Sequence, residues 1–207
     1  MLPACLCMRL TVAETYVYFT VQGALKSGLH GDIEEIPERI RKAAMRAVNK
    51  TADRARTASA REMRNQVNFP ASYLNAEGRL QVTKRANQDD LEARITGRQA
   101  PTSLARFVQG TPKRGKGVRV QVKPGAARYM RRAFLMKLKN NNLGLAVRTD
   151  GGPPKGAYKP KQISENLWLV YGPSIDQVFR TVAEDVSEPM ADYLEAEFLR
   201  LLDLGDF

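Results

Sequence analysis

The spacing of apolar residues changes along this 207-residue chain, and each change marks an element. Over residues 36–66 the only Pro is Pro37 and there is no Gly. Ile36, Ile40, Ala44, Ala47, Thr51, Ala55 and Ala58 recur there at three- and four-residue steps. That pattern predicts a long helix, about 45 Å at 1.5 Å per residue. Asp32, Glu34 and Glu35 lie just ahead of Pro37, which suits the positive end of a helix. After Ile40 the apolar stripe is built from small side chains, so whatever packs there can approach closely. A narrow stripe on so long a helix suits an extended neighbour better than a broad core. Phe69 and Pro70 end the element.

Elsewhere the period is two, or the apolar runs are short. Residues 15–22 are rich in β-branched and aromatic types and predict a strand before Gly23. Residues 80–85 and 91–96 predict two more, joined by the polar turn Asn87-Gln88-Asp89-Asp90. Val118, Val120 and Val122 alternate with Arg119, Gln121 and Lys123, a half-exposed strand that stops at Pro124-Gly125. Residues 145–148 and 167–171 are the remaining strand candidates. Residues 110–117 and 150–160 read as glycine-containing loops, natural arms for docking.

Helical spacing returns at the end. Ser174 can cap a helix whose first turn holds Asp176. Val178, Phe179, Val182 and Val186 form an apolar face, and Met190, Tyr193, Leu194, Phe198 and Leu201 continue it beyond Pro189, which bends or restarts the helix. The predicted architecture is α+β. A long N-terminal helix (36–66) and a C-terminal helix (174–204) pack on a small, mostly antiparallel sheet (79–171) with extended loops. Residues 1–23 form an N-terminal strand or arm, and 24–207 the main domain.

Charge changes this picture more than composition does. Lys plus Arg total 33 against 22 Asp plus Glu, a formal +11, which favours nucleic acid, an anionic membrane surface or an acidic protein face. The surplus is segregated. From Ala93 to Thr149 there is no acidic residue, while fourteen cations occur: Arg94, Arg98, Arg106, Lys113, Arg114, Lys116, Arg119, Lys123, Arg128, Arg131, Arg132, Lys137, Lys139 and Arg148. From Ser174 onward nine carboxylates face two arginines, a net −7. Lys113, Arg114, Lys116, Arg119, Lys123, Arg128, Arg131, Arg132, Lys137 and Lys139 are therefore the candidate surface for DNA or an acidic partner. Asp185, Glu188, Asp192, Glu195 and Glu197 are the candidate subunit interface. Phe107, Tyr129 and Phe134 are too few for a base-stacking platform, so contact with nucleic acid runs through its backbone. Phe107 and Phe134 are expected in the core.

Candidate chemistry is thin. Cys5 and Cys7 are separated by one residue and read as reduced thiols of a protein made in the cytosol. The single histidine, His30, lies in a Gly-Leu-His-Gly linker, so neither a zinc site nor a Ser-His-Asp triad can be assembled around it. No phosphate-cradling glycine loop is present. Asp89, Asp90 and Glu92 sit at a turn where carboxylates diverge, which argues against a metal site. No catalytic residue, metal or cofactor is expected. Residues 1–10 are apolar but too short to span a bilayer and lack the order of a signal peptide. The sequence leaves open whether translation starts at Met1 or at Met8.

The helix opening Ile36-Pro37-Glu38-Arg39-Ile40, the segment 101–108 and the phrase Tyr171-Gly172-Pro173-Ser174-Ile175 before an acidic helix resemble the phage minor tail protein Z family. The resemblance runs over residues 24–204 and supplies no catalytic residues. It implies a tail-completion protein, made in the host cytoplasm and found in the virion at the head-proximal end of the tail. The implied partners are further copies in a hexameric ring, tail terminator or tail tube proteins, head–tail connector proteins and the end of the packaged DNA, with no membrane. The alternative from charge alone is a non-sequence-specific nucleic-acid-binding accessory protein.

Overall fold

The structure is a computed structural model, and it describes residues 12–13, 16–20, 37–113, 115–156 and 158–204. Cys5, Cys7, His30, Asp32, Glu34, Glu35, Ile36, Arg114 and Asp206 lie outside the described residues.

The long helix is present as α1 (Glu38–Gln66). Pro37 is its N-cap, where a missing N–H removes no helical hydrogen bond, and Ile40 N donates to Pro37 O at 2.9 Å. Glu38 sits in the first turn and pairs with Lys42 one turn on, at 2.7 Å. Ala43, Ala44, Ala47, Thr51, Ala52, Ala55 and Ser59 are all buried. Their small side chains admit the extended neighbour that the stripe predicted, the C-terminal helix α3 (Ile175–Leu204). Ser174 caps α3 by accepting from Gln177 N at 3.0 Å. The helix runs on through Pro189, which is exposed and cannot donate the helical hydrogen bond to the Asp185 carbonyl. Val178, Phe179, Val182, Val186, Met190 and Leu194 are its buried face, each worth about 1.5–3 kcal/mol when withdrawn from water.

After α1 a short helix, α2 (Ala71–Asn75), starts from Pro70. The strands are entirely antiparallel but divide into three groups. One sheet has the order β1 (Val12–Ala13), β2 (Tyr16–Thr20), β4 (Glu92–Gly97), β3 (Leu80–Lys84). Its β4 alternates strictly, with Ala93, Ile95 and Gly97 turned to the helices. A second sheet has the order β10 (Tyr158–Ser164), β11 (Leu167–Gly172), β9 (Leu143–Arg148), β8 (Ala133–Lys137), with β5 (Thr102–Ser103) also paired to β11. The third group is a hairpin of β6 (Val118–Lys123) and β7 (Ala126–Met130). Asn87 makes the predicted turn, its side chain accepting from the backbone N–H of both Asp89 (2.9 Å) and Asp90 (2.7 Å).

The α+β reading and the two helices hold. Strands β1, β5, β7, β8 and β10 and helix α2 were not expected, and β10 shortens the loop predicted over 150–160. Gly97 joins the two layers. A Cβ there would lie 2.8 Å from Asp176 Cα, so only glycine lets the start of α3 sit on β4. Asp176 N donates to Arg98 O at 3.1 Å across the same junction. Phe107 is buried against Phe69, their rings 5.6 Å apart, as expected of a core residue. Phe134 is half-buried, with the Arg148 guanidinium 5.5 Å over its ring.

Candidate assembly interface

The cations of the acid-free window sort into two sets. Five are engaged inside the subunit. Arg94 bonds Glu92 at 3.2 Å, Arg98 donates to the Tyr73 hydroxyl at 3.2 Å, Arg106 stacks 4.2 Å over the Tyr73 ring, Arg132 pairs with Asp150, and Arg148 covers Phe134. Arg114 is outside the described residues. Lys113, Lys116, Arg119, Lys123, Arg128, Arg131, Lys137 and Lys139 are exposed and form no ion pair among the described residues. That second set, with Arg132 and Arg114, is the surface singled out by charge. By contrast, three cations of α1, together with Arg85 just beyond β3, tie the fold together. Lys50 reaches Glu197 at 2.9 Å, Arg85 closes on Asp53 at 2.8 Å from β3's end, Arg56 donates to Leu80 O at 2.9 Å, and Arg54 lies 4.2 Å over the Tyr193 ring.

The hairpin carries three of the eight cations of the second set, Arg119, Lys123 and Arg128, and Arg131 follows it directly. Arg119 faces Tyr129 across it, and Val120 faces Arg128. One side, carrying Val118 and Val120, is buried, and Asn68 N holds the strand through Val122 O at 2.8 Å. Beyond the hairpin lies a cleft of about 700 Å³ between it and the second sheet. Its floor is apolar, with Val120, Val122, Met130, Val147 and Val170. Its rim is cationic, with Lys123, Arg128, Arg131, Arg132 and Lys155, and Gln177 from the first turn of α3 forms part of the wall. Lys113, Lys116, Lys137 and Lys139 lie outside the cleft.

The acidic set also divides. Asp185, Glu188, Asp192 and Glu195 are exposed and form no ion pair among the described residues. At 100° per residue they fall within one narrow stripe of α3. Glu197 does not belong with them, and this corrects its assignment as a subunit contact. It is buried, and its carboxylate is held by Arg200 at 2.6 Å and Lys50 at 2.9 Å, which fastens α3 to α1. The Arg200 hydrogen bond, aided by Lys50 and opposed by burial, lowers its pKa to about 2. Its charge is neutralised within the subunit.

Two features escaped the sequence reading. Leu199 and Leu204 are 53% and 55% exposed at the end of α3. Leu199 falls inside the acidic stripe, four residues after Glu195 and four before Asp203. The signal was present as an apolar residue on the wrong side of the helix. The cleft floor could not be read, because it is made by three separate stretches of chain. Among the described residues no three His, Cys, Asp or Glu side chains gather as a metal site, and no helix is long and apolar enough to cross a membrane.

Comparison with curated proteins and with solved structures found no match. A family model described as prophage minor tail protein Z (GPZ) matches residues 31–203.

Proposed function

The chain belongs to the prophage minor tail protein Z family, and on that premise we propose that it completes the head-proximal end of a phage tail as one subunit of a ring. Membership makes it a structural tail protein of the virion that meets other tail or head components. The finer reading is supported by one observation, the two exposed sets of unpaired charge of opposite sign on a single subunit. A ring of identical copies needs one patch to meet a different patch on the next copy. The acidic stripe of α3 and the cations around the hairpin supply both halves. Cations left outside that contact face the end of the packaged DNA, where each adds a salt-sensitive phosphate contact without reading sequence.

The test is a phage lacking the wild-type gene, supplied with Arg131→Glu/Arg132→Glu. Heads and tails are expected to accumulate unjoined under the electron microscope, while the purified variant keeps the wild-type melting curve. Infectious, joined particles at wild-type yield would overturn the proposal. The same exposed cations favour a second reading, a nucleic-acid-binding accessory protein. A monomer that binds duplex DNA with a steep salt dependence and never enters virions would establish that one instead.

A further inference from the structure

We infer that the C-terminal end of α3 in one copy docks into the hairpin cleft of the next, with Leu199 on the apolar floor and Asp192, Glu195 and Asp203 against the cationic rim. This rests on the ring reading above and names its contact. Both surfaces are exposed and each lacks what the other offers. The cleft has Val122, Met130 and Val170 beneath Lys123, Arg128 and Arg131. The helix end has an exposed leucine ringed by carboxylates that no described cation pairs.

Geometry decides the occupant. Gln177, in the cleft wall, belongs to the first turn of α3, and Leu199 lies on the same helix roughly 33 Å further along its axis. A rigid helix cannot fold its own far end back onto its near end, so a copy cannot fill its own cleft. The two halves sit at opposite ends of one rod, which makes the contact head-to-tail and lets it propagate from copy to copy. Duplex DNA would satisfy the rim but offers nothing apolar to the floor. The contact therefore assigns Lys123, Arg128 and Arg131 to protein, and leaves Lys113, Lys116, Arg119, Lys137 and Lys139 for a polyanion.

Full-length variants test this by sedimentation velocity, with circular dichroism melts confirming that each is folded. Leu199→Asp/Leu204→Asp removes the knob at exposed positions, and Ala127→Trp fills the cleft from an exposed position on β7. Wild-type protein is expected to associate as its concentration rises. Each variant alone should associate at least about tenfold more weakly, the scale set by burying a leucine side chain. Mixed in equal amounts, the two variants should form a dimer and nothing larger, because each keeps one working face. A wild-type chain that stays monomeric at every accessible concentration, a variant that assembles like wild type, or a mixture without the dimer would each overturn the inference. So would an Ala127→Trp protein that self-associates normally but no longer binds a duplex oligonucleotide, since the cleft would then be a nucleic-acid site. Incorporation into virions is scored separately. A chain that enters tails yet fails these tests removes this contact and leaves the tail role standing.

Discussion

Gly97→Ala puts the junction of the two layers under direct strain. An alanine Cβ would lie 2.8 Å from Asp176 Cα and 2.9 Å from Asp176 N, whereas ordinary contact begins at 3.4 Å. Both atoms are backbone, so no side chain can swing aside. The start of α3 must lift by about half an ångström, and overpacking of this kind costs about 1–3 kcal/mol. The 3.1 Å bond from Asp176 N to Arg98 O lengthens as well, removing up to about 1 kcal/mol. Alanine's stiffer unfolded chain returns about 0.4–1 kcal/mol. The net loss is on the order of 2 kcal/mol, or roughly 4–8 °C in melting temperature for a chain of this size. Urea unfolding followed by circular dichroism reads it directly. A Gly97→Ala protein that unfolds at or above the wild-type midpoint would refute the close approach. Because Pro173 and Gln177 stand in the cleft wall next to this junction, self-association should weaken along with stability.

Phe179→Ala empties a side chain of α3 that is 2% exposed within the main core, so a loss of about 3–5 kcal/mol is expected in the same urea assay. Folding lowers the Glu197 pKa from its ordinary 4.5 to about 2, chiefly through the Arg200 hydrogen bond, so it contributes stability above pH 4.5 that disappears as pH falls towards 2. Glu197→Gln should lower stability at pH 7 and flatten the profile in that window while leaving self-association of the folded protein unchanged; an unaltered acid limb would argue against the pairing. Raising salt from about 0.15 to 1 M shortens the screening length from about 8 to 3 Å, so association through exposed charges should weaken while the unfolding midpoint stays governed by the apolar core. Association insensitive to salt would remove charge from the contact.

How much of this was legible depended on whether a segment carried its own period. The α1 stripe, the alternation in β6 and the capped start of α3 each show within a dozen residues, and each formed close to its expected bounds. β7 did not show because none of Ala126, Ala127, Arg128 and Tyr129 is buried, so nothing in it alternates. β10 carries Pro160 and four further polar residues, and it is an edge strand with two register shifts, the setting in which proline and polar side chains are tolerated. The cationic surface was legible as a composition, but not its sorting. Arg98 and Arg106 look like Arg119 and Arg128 in sequence, and only the fold brings the former pair onto Tyr73. Glu197 likewise differs from Glu195 only in facing α1.

That sorting bears on what the charges are for. Where opposite charges can meet, this fold pairs them: Lys84 with Asp90 and Glu92, Arg85 with Asp53, Lys50 and Arg200 with Glu197. Apart from the buried Glu197, these are exposed pairs worth little each, so their presence reflects proximity more than a need for stability. Among the charges left over are two sets that proximity cannot serve. The end of the acidic stripe, from Asp192 to Asp203, and the cations around the cleft are held apart by α3, about 22–39 Å along its axis from Gln177 in the cleft wall, roughly three to five screening lengths of about 8 Å at physiological salt. Within one subunit the two sets neither neutralise nor attract each other appreciably. Between subunits the same helix becomes a spacer that presents each set, unpaired, to the other's counterpart. A chain whose opposite charges were merely scattered over its surface would neutralise itself locally, and would offer a neighbour nothing with direction.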